Sequence, residues 1–221
     1  MKSPAVFFFD MDHTLIDNDC DVSWKQFVVR HGLAPESDLA EADRHFDDYN
    51  AGVLDVEEFY LFQFREFIGN TEARMLELAR MHYEEFVKGR IFPEGRRLVL
   101  EALDAGLPVA ILSSTNSIVA RPVADELGIS EILGTKLELD ASGRFTGRIT
   151  GTYGAREGKT IIATEWAAAH GVTLADFAYY GDSVNDIDLL QQVGFPNTVN
   201  PASELRELAR QNGWPILAWQ R

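Results

Sequence analysis

The sequence predicts an α/β fold: a parallel sheet between layers of helices, with a helical segment inserted after the first strand and a small β-hairpin late in the chain. Three observations predict it. Apolar runs suited to buried strands occur at residues 5–9, 108–112 and 177–180, with a weaker one at 197–199, and stretches of helical periodicity separate them. Gly106, Gly128, Gly171 and Gly213 stand where helix C-termini take a left-handed residue. Residues 17–90, by contrast, carry helical spacing and no convincing strand.

Taken in order, the first strand (5–9) is Ala-Val-Phe-Phe-Phe, apolar throughout, as in a strand buried on both faces. Helical spacing follows at 22–29, 56–67 and 71–87, then a helix at 94–105 leads to the strand at 108–112 and a helix at 117–127. Residues 136–139 and 144–150 alternate around Asp140-Ala141-Ser142-Gly143, which reads as a hairpin. A helix at 159–170, the strand at 177–180, and helices at 187–193 and 203–212 complete the pattern. Alternation of strand and helix calls for right-handed crossovers and a parallel sheet. Functional loops of such sheets lie beyond the strand C-termini. The expected division is a core of residues 1–16 plus 91–221 and an inserted helical cap of residues 17–90. No internal repeat or low-complexity tract interrupts it.

The chain has 221 residues, enough for one full core and a smaller module. Its formal charge of −15 argues against nucleic acid and against anionic lipid surfaces. Residues 17–90 hold 17 acidic and 8 basic side chains, so most of the excess sits in the cap. The single cysteine, Cys20, has no intrachain partner, which fits a reducing cytosol. The apolar run before Asp10 is too short for a signal peptide, and no apolar stretch reaches 18 residues. The expectation is a cytoplasmic protein with no membrane span.

Four short motifs follow strand ends. In Asp10-Met11-Asp12-His13-Thr14, two carboxylates about 5 Å apart repel by about 3 kcal/mol at an effective dielectric near 20. Such a pair is kept when a cation sits between its members or when they do chemistry; a solvated turn is the bland alternative. Asp10, nearer the strand end, is the nucleophile candidate, and Asp12 is placed for acid and base work. Ser113-Ser114-Thr115-Asn116 offers hydroxyls and helix-opening N–H groups to a phosphoryl oxygen, although Ser114, Thr115, Asn116 or Ser117 can equally cap the helix. Lys159 opens a helix, against the helix dipole, which makes sense if it faces anions; Arg156 is its competitor. Gly181-Asp182-Ser183-Val184-Asn185-Asp186 adds carboxylates behind a close backbone turn. This oxygen-rich set suits Mg²⁺.

In their order and spacing these motifs resemble the haloacid dehalogenase superfamily of phosphohydrolases, and Gly143-Arg144-Phe145-Thr146-Gly147 is similar to its phosphoserine-phosphatase-like branch. The resemblance implies a three-layer Rossmann-like core and a cap of the first type. It implies that Asp10 attacks phosphorus to form an aspartyl-phosphate, and that Asp12 is acid and base and offers its backbone carbonyl to Mg²⁺. Asp10, Asp12 and Asp182 would then hold the metal. Asp186 would hold the metal's waters or Lys159, and Ser113 and Lys159 would bind the phosphoryl group, with Ser114 and Asn185 beside it. Thr14 and Gly181 would support the motif loops.

Members of that branch usually carry Ser where His13 stands and Glu near the position of Asp19. His13, Asp19 and Arg65, with Arg44, are therefore the candidates for reading the substrate. The acidic run Asp17-Asn18-Asp19-Cys20-Asp21 at the cap entrance points to a cationic leaving group such as histidinol, choline or ethanolamine, with a solvated hinge as the other reading. The predicted partner is a small-molecule phosphate ester, phosphoserine included. A phosphotransferase or phosphomutase, or a non-catalytic phosphometabolite sensor, are the alternatives. His31, His45, His82 and His170 lack zinc-ligand spacing and are expected at helix surfaces or ends. The tryptophans and the aromatic stretch 59–67 are expected to pack the core and cap, with some cap rings facing substrate.

Overall fold

The computed structural model describes residues 3–51 and 53–221. In chain order the elements are β1 (Val6–Phe9), α1 (Cys20–Arg30), α2 (Ser37–Ala51), α3 (Val56–Gln63), α4 (Glu72–His82), α5 (Pro93–Asp104), β2 (Val109–Ile111), α6 (Ser117–Leu127), β3 (Glu131–Ile132), β4 (Lys136–Leu139), β5 (Phe145–Thr150), α7 (Glu157–His170), β6 (Phe177–Gly181), α8 (Ile187–Leu190), β7 (Phe195–Val199), α9 (Ser203–Asn212) and β8 (Ile216–Leu217). Six strands form one sheet in the order β3-β2-β1-β6-β7-β8, every neighbouring pair parallel, and β4 and β5 form a separate antiparallel hairpin.

Side-chain alternation sorts the strands between two apolar layers. Val6, Phe8, Ala110, Leu112, Phe177 and Tyr179 pack with α7, α8 and α9 through Ala163, Trp166, Leu189 and Leu205. On the opposite face, Phe9, Val109, Ile111, Ala178 and Tyr180 pack with α5 and α6. That second layer runs on into the inserted helices: Trp24, Phe27, Tyr60, Phe67 and Met75 belong to the same apolar cluster, and α4 packs directly on α6. The helices α1–α4 are thus joined to the sheet by buried surface. They enter and leave through paired linkers, in which Ile16 bridges Ile91 and the Asp17 N–H donates to the Arg90 carbonyl at 2.8 Å. The hairpin docks on them as well, its Phe145 exchanging backbone hydrogen bonds with Gly69 and Asn70.

Five elements differ from the sequence expectation. β3 and β8 are two residues each, too short to leave a periodic signal. Helix α2, rich in Asp and Glu and with few apolar side chains, is not among the helical stretches expected. The expected helix at 56–67 breaks after Gln63 into a 3-10 turn at Arg65–Phe67, and the one at 71–87 ends in a π-helical turn at Tyr83–Val87.

Two histidines expected at helix surfaces or ends are buried: His45 and His82 are 2% and 1% exposed. His31 and His170 do lie at exposed helix ends. Rings of Trp24, Phe27 and Phe86 surround His82, whose Nε2 lies 2.8 Å from Ser23 Oγ. Burial pushes its pKa down to about 3 from 6.5. The unfolded chain therefore binds the proton more readily. His82 contributes stability that is complete above pH 6.5 and is lost as the pH falls toward 3, by up to about 1.4 kcal/mol per pH unit. Between pH 6.5 and 5, urea titrations should show wild type losing about 2 kcal/mol more than H82Q. Equal losses would refute this account. None of the helices among the described residues is long and apolar enough to cross a membrane.

Candidate active site

Asp10 is the first residue beyond β1, and its N–H still donates to the Tyr180 carbonyl of β6 at 2.9 Å. The chain then wraps through one helical turn: the N–H groups of Thr14, Leu15 and Ile16 all donate to the Met11 carbonyl. His13 takes a left-handed φ of 55° within it. The turn separates the two carboxylates. Asp10 faces Lys159, whereas Asp12 accepts from the Cys20 N–H and the Thr115 hydroxyl, each at 2.7 Å.

Lys159, in the first turn of α7, is 3% exposed. Its Nζ lies 2.9 Å from Asp10 Oδ1 and 2.5 Å from Asp186 Oδ1, and donates to Tyr179 Oη at 3.1 Å. Asp186 is saturated: Oδ1 also accepts from the Tyr179 hydroxyl, and Oδ2 accepts from the N–H groups of Asp182 and Ser183. This packing explains Gly181, because a Cβ there would lie 2.5 Å from Asp186 Cγ. Ser183 and Asp186 also form a capping box on the 3-10 turn Val184–Asp186.

Burial pushes Asp10 up to about 7 against the pull of Lys159, and raises Asp182 well above the usual carboxylate range with help from Asp186 and Asp10. Burial pulls Lys159 down, but Asp10 and Asp186 outweigh it and hold the ammonium well above its ordinary value. Lys159 cannot balance the carboxylates around it. One oxygen each from Asp10, Asp182 and Asp186 lies within 4.8 Å of the others. With Asp186 already saturated by donors, Asp10 and Asp182 are the carboxylates open to a cation. Two such ligands with room for water fit Mg²⁺.

A cavity of about 160 Å³ opens from this cluster toward the inserted helices α1–α3. Asp10, Asp12, His13, Asp19, Ser114, Lys159 and Asp182 line it, so the structure brings together seven of the residues singled out from sequence. Thr14 is buried behind, its hydroxyl 3.4 Å from Asp182. Ser113 is also buried, its Oγ accepting from the Thr115 N–H, and is not among the lining residues. Asn116, one of the cap candidates in this run, caps α6 by accepting from the Ile118 and Val119 N–H groups. Asn185 accepts from Arg156 Nε and lines an adjoining cavity.

The two arginines nominated as substrate readers stay away. Arg65 pairs with Asp38 and lies 3.5 Å from Glu66, while Arg44 pairs with Asp48 and Glu58. Neither lines the cavity. Asp19 does, but its carboxylate also caps α1 by accepting from the Val22 N–H, and burial with Asp12 nearby pushes it up to about 6.

Sequence reasoning did not assign Tyr179, Gln63, His45 or Tyr153 to the site, and reached Thr115 and Asp21 only as members of a run. The hydroxyl run and the acidic run held signals for Thr115 and Asp21, and strand alternation put Tyr179 on the α7 face. Nothing local marked Gln63 or His45. Phe59 and Phe62 line the cavity while Phe64 and Phe67 pack the core, which divides the aromatic stretch between both expected roles.

Comparisons with known proteins give the family and the fold. A family model described as haloacid dehalogenase-like hydrolase matches residues 7–191. A histidinol-phosphatase of Neisseria meningitidis serogroup C (strain 8013) is 36% identical over 98% of this chain and 99% of its own. The phosphoserine phosphatase SerB1 of Mycobacterium tuberculosis (strain ATCC 25618 / H37Rv) is 31% identical over 96% of this chain and 70% of its own. The crystal structure of a protein of unknown function from Bordetella pertussis Tohama I superposes with a TM-score of 0.84 at 32% identity, covering 98% of this chain and 99% of that one. A substrate-bound phosphoserine phosphatase has the same fold, with a TM-score of 0.71 at 18% identity over 98% and 94% of the two chains. The chain belongs to the haloacid dehalogenase-like hydrolases and has a phosphoserine-phosphatase-like fold.

Proposed function

We propose that this protein is a Mg²⁺-dependent phosphomonoesterase that works through an aspartyl-phosphate at Asp10 and acts on histidinol phosphate or a close cationic analogue. The observation that carries the reading is the opposed placement of two cavity-lining carboxylates. Asp10 is held by Lys159, and Asp12 is held by Cys20 and Thr115.

Asp10 and Asp182, with the Asp12 carbonyl, would hold Mg²⁺, which supplies positive charge to the phosphoryl oxygens and to the crowded carboxylates. An Asp10 oxygen attacks phosphorus, the Oδ–P bond forms, and the P–O bond to the leaving alcohol breaks. Protonated Asp12 gives its proton to the departing oxygen. Asp12, now a carboxylate, removes a proton from water as that water attacks phosphorus, and the Oδ–P bond breaks to release phosphate. Lys159 pulls Asp10 toward its ionised form against burial and faces the transferred group, with the Ser114 hydroxyl beside it. Asn185 braces the loop through Arg156. Catalysis in this scheme is positioning and charge stabilisation.

Two features favour histidinol phosphate over phosphoserine. Neither cap arginine reaches the cavity to meet a substrate carboxylate, and the full-length relative named histidinol-phosphatase is the more similar of the two phosphatases. The purified protein should be assayed on phosphoserine, histidinol phosphate, phosphocholine, phosphoethanolamine and sugar phosphates, with Mg²⁺ and with EDTA. Phosphate release that stops in EDTA is expected, with kcat/KM for histidinol phosphate at least about tenfold above that for phosphoserine, a difference of about 1.4 kcal/mol. Failure to release phosphate from any ester, or turnover only with a sugar-phosphate acceptor, would overturn the reading.

A further inference from the structure

We infer that Asp21, held by Gln63, selects the leaving group by binding its ammonium inside the cap. The inference rests on the phosphatase reading and names the specificity residue of the same cavity. Asp21 lies in the first turn of α1 and lines the cavity. Gln63, the last residue of α3, is 2% exposed and donates through Nε2 to Asp21 Oδ1 at 3.0 Å and to the Asp21 carbonyl at 3.2 Å. One carboxylate is therefore fixed between two cap helices, with its orientation set by a neutral donor.

No cap lysine or arginine among the described residues lines this cavity. Lys25 is bound to Glu66 and the Phe62 carbonyl, Arg65 to Asp38, and Arg44 to Glu58. Burial, with Asp19 and Asp12 nearby, holds Asp21 well above the usual carboxylate range. A carboxylate so placed gains from an incoming cation: Lys25, the cation that pulls on Asp21 from the protein side, is bound to Glu66, and burial outweighs its pull. Asp19 is the poorer partner, since its carboxylate is engaged as the cap of α1.

A second observation points to an occupant of this end. His45 lines the same cavity from α2, is 2% exposed, and has a buried Nδ1 with no hydrogen-bond partner. Arg44 donates toward its Nε2 at 3.2 Å, which leaves Nδ1 as the protonated nitrogen. Phe59 and Phe62 hold the ring at centroid distances of 5.6 and 5.0 Å, and both also line the cavity. Aromatic walls, a fixed carboxylate and an unsatisfied donor together fit a leaving group that is flat, cationic and able to accept a hydrogen bond.

The test compares wild type with D21N on histidinol phosphate and on p-nitrophenyl phosphate, whose leaving group carries no ammonium. D21N should lower the ratio of the two kcat/KM values about 30-fold, through KM for the amine ester, as expected for loss of a charge-assisted hydrogen bond. Q63L should lower the ratio in the same direction by less. Equal losses on both esters would mark Asp21 as merely structural and overturn the inference, as would an unchanged ratio. Calorimetric binding of histidinol phosphate to D10N and to D10N/D21N separates this from the phosphatase reading. Weaker binding in the double variant supports Asp21 even if no ester is turned over, and equal binding refutes it.

Discussion

Asp10→Asn should lower kcat by about 10⁴-fold or more, the scale seen when a nucleophile is removed, while the protein stays folded. The substitution removes the attacking oxygen and one of the two carboxylates open to a cation, and leaves the side-chain volume almost unchanged. Its effect on stability has a definite sign. Burial puts Asp10 at about 7 in the fold against 3.8 unfolded, so the folded chain binds the proton more readily. Wild type therefore loses stability as the pH rises from about 4 through 7. D10N lacks that component, so its urea midpoint relative to wild type should improve with pH. Retention of more than a tenth of wild-type turnover by purified D10N would remove Asp10 from the mechanism.

Lys159→Met carries the second large effect. The ammonium is the buried cation that contacts both Asp10 and Asp186, and methionine replaces its length without its charge. Removing one member of a buried ion pair costs about 3–5 kcal/mol, because the remaining charges stay buried without a partner. The variant should be destabilised by that amount at pH 8 and should lose at least about 10²-fold in kcat. Acidification protonates Asp10 and so relieves part of the unbalanced charge, which should narrow the stability gap between wild type and variant at pH 5.5. Urea titrations at the two pH values check this. A loss below about 1 kcal/mol at pH 8 would mean that water or a mobile counter-ion already screens the cluster.

The sheet was legible in the sequence where burial on both faces wrote it there. Residues 5–9, 108–112 and 177–180 are continuous apolar runs that end abruptly in polar clusters, and they became β1, β2 and β6. Helices α6 and α9 fell at the expected bounds, since Gly128 and Gly213 close them with φ of 72° and 68°. Elements whose stability comes from their neighbours were not legible. β3 and β8 exist because an adjacent strand offers hydrogen bonds, and α2 lies along α1 with its His45 packed on Phe59 and Phe62.

The site divides in the same way. Asp10, Asp12, Lys159, Asp182 and Asp186 each stand in a motif at a strand end or helix start, so their types and positions could be read from the chain alone. Their pairing could not. Lys159 and Asp186 are 27 residues apart, Thr115 and Asp12 are 103, and Thr14 and Asp182 are 168. The same holds for the cap arginines: Arg65 was a plausible substrate reader by type, but Asp38 on α2, a helix with little sequence signal, engages it instead.

By itself the sequence determined a parallel α/β core, an acidic helical insert and a set of carboxylates beyond the strand ends. Periodicity, glycine caps and apolar runs act over a few residues, and local order is enough to reveal them. Only the tertiary structure decided which carboxylate meets the lysine, which acid faces the cap cavity, and which arginines are engaged elsewhere. Those choices depend on burial and on distances of a few ångströms between groups that the chain brings together only when it folds.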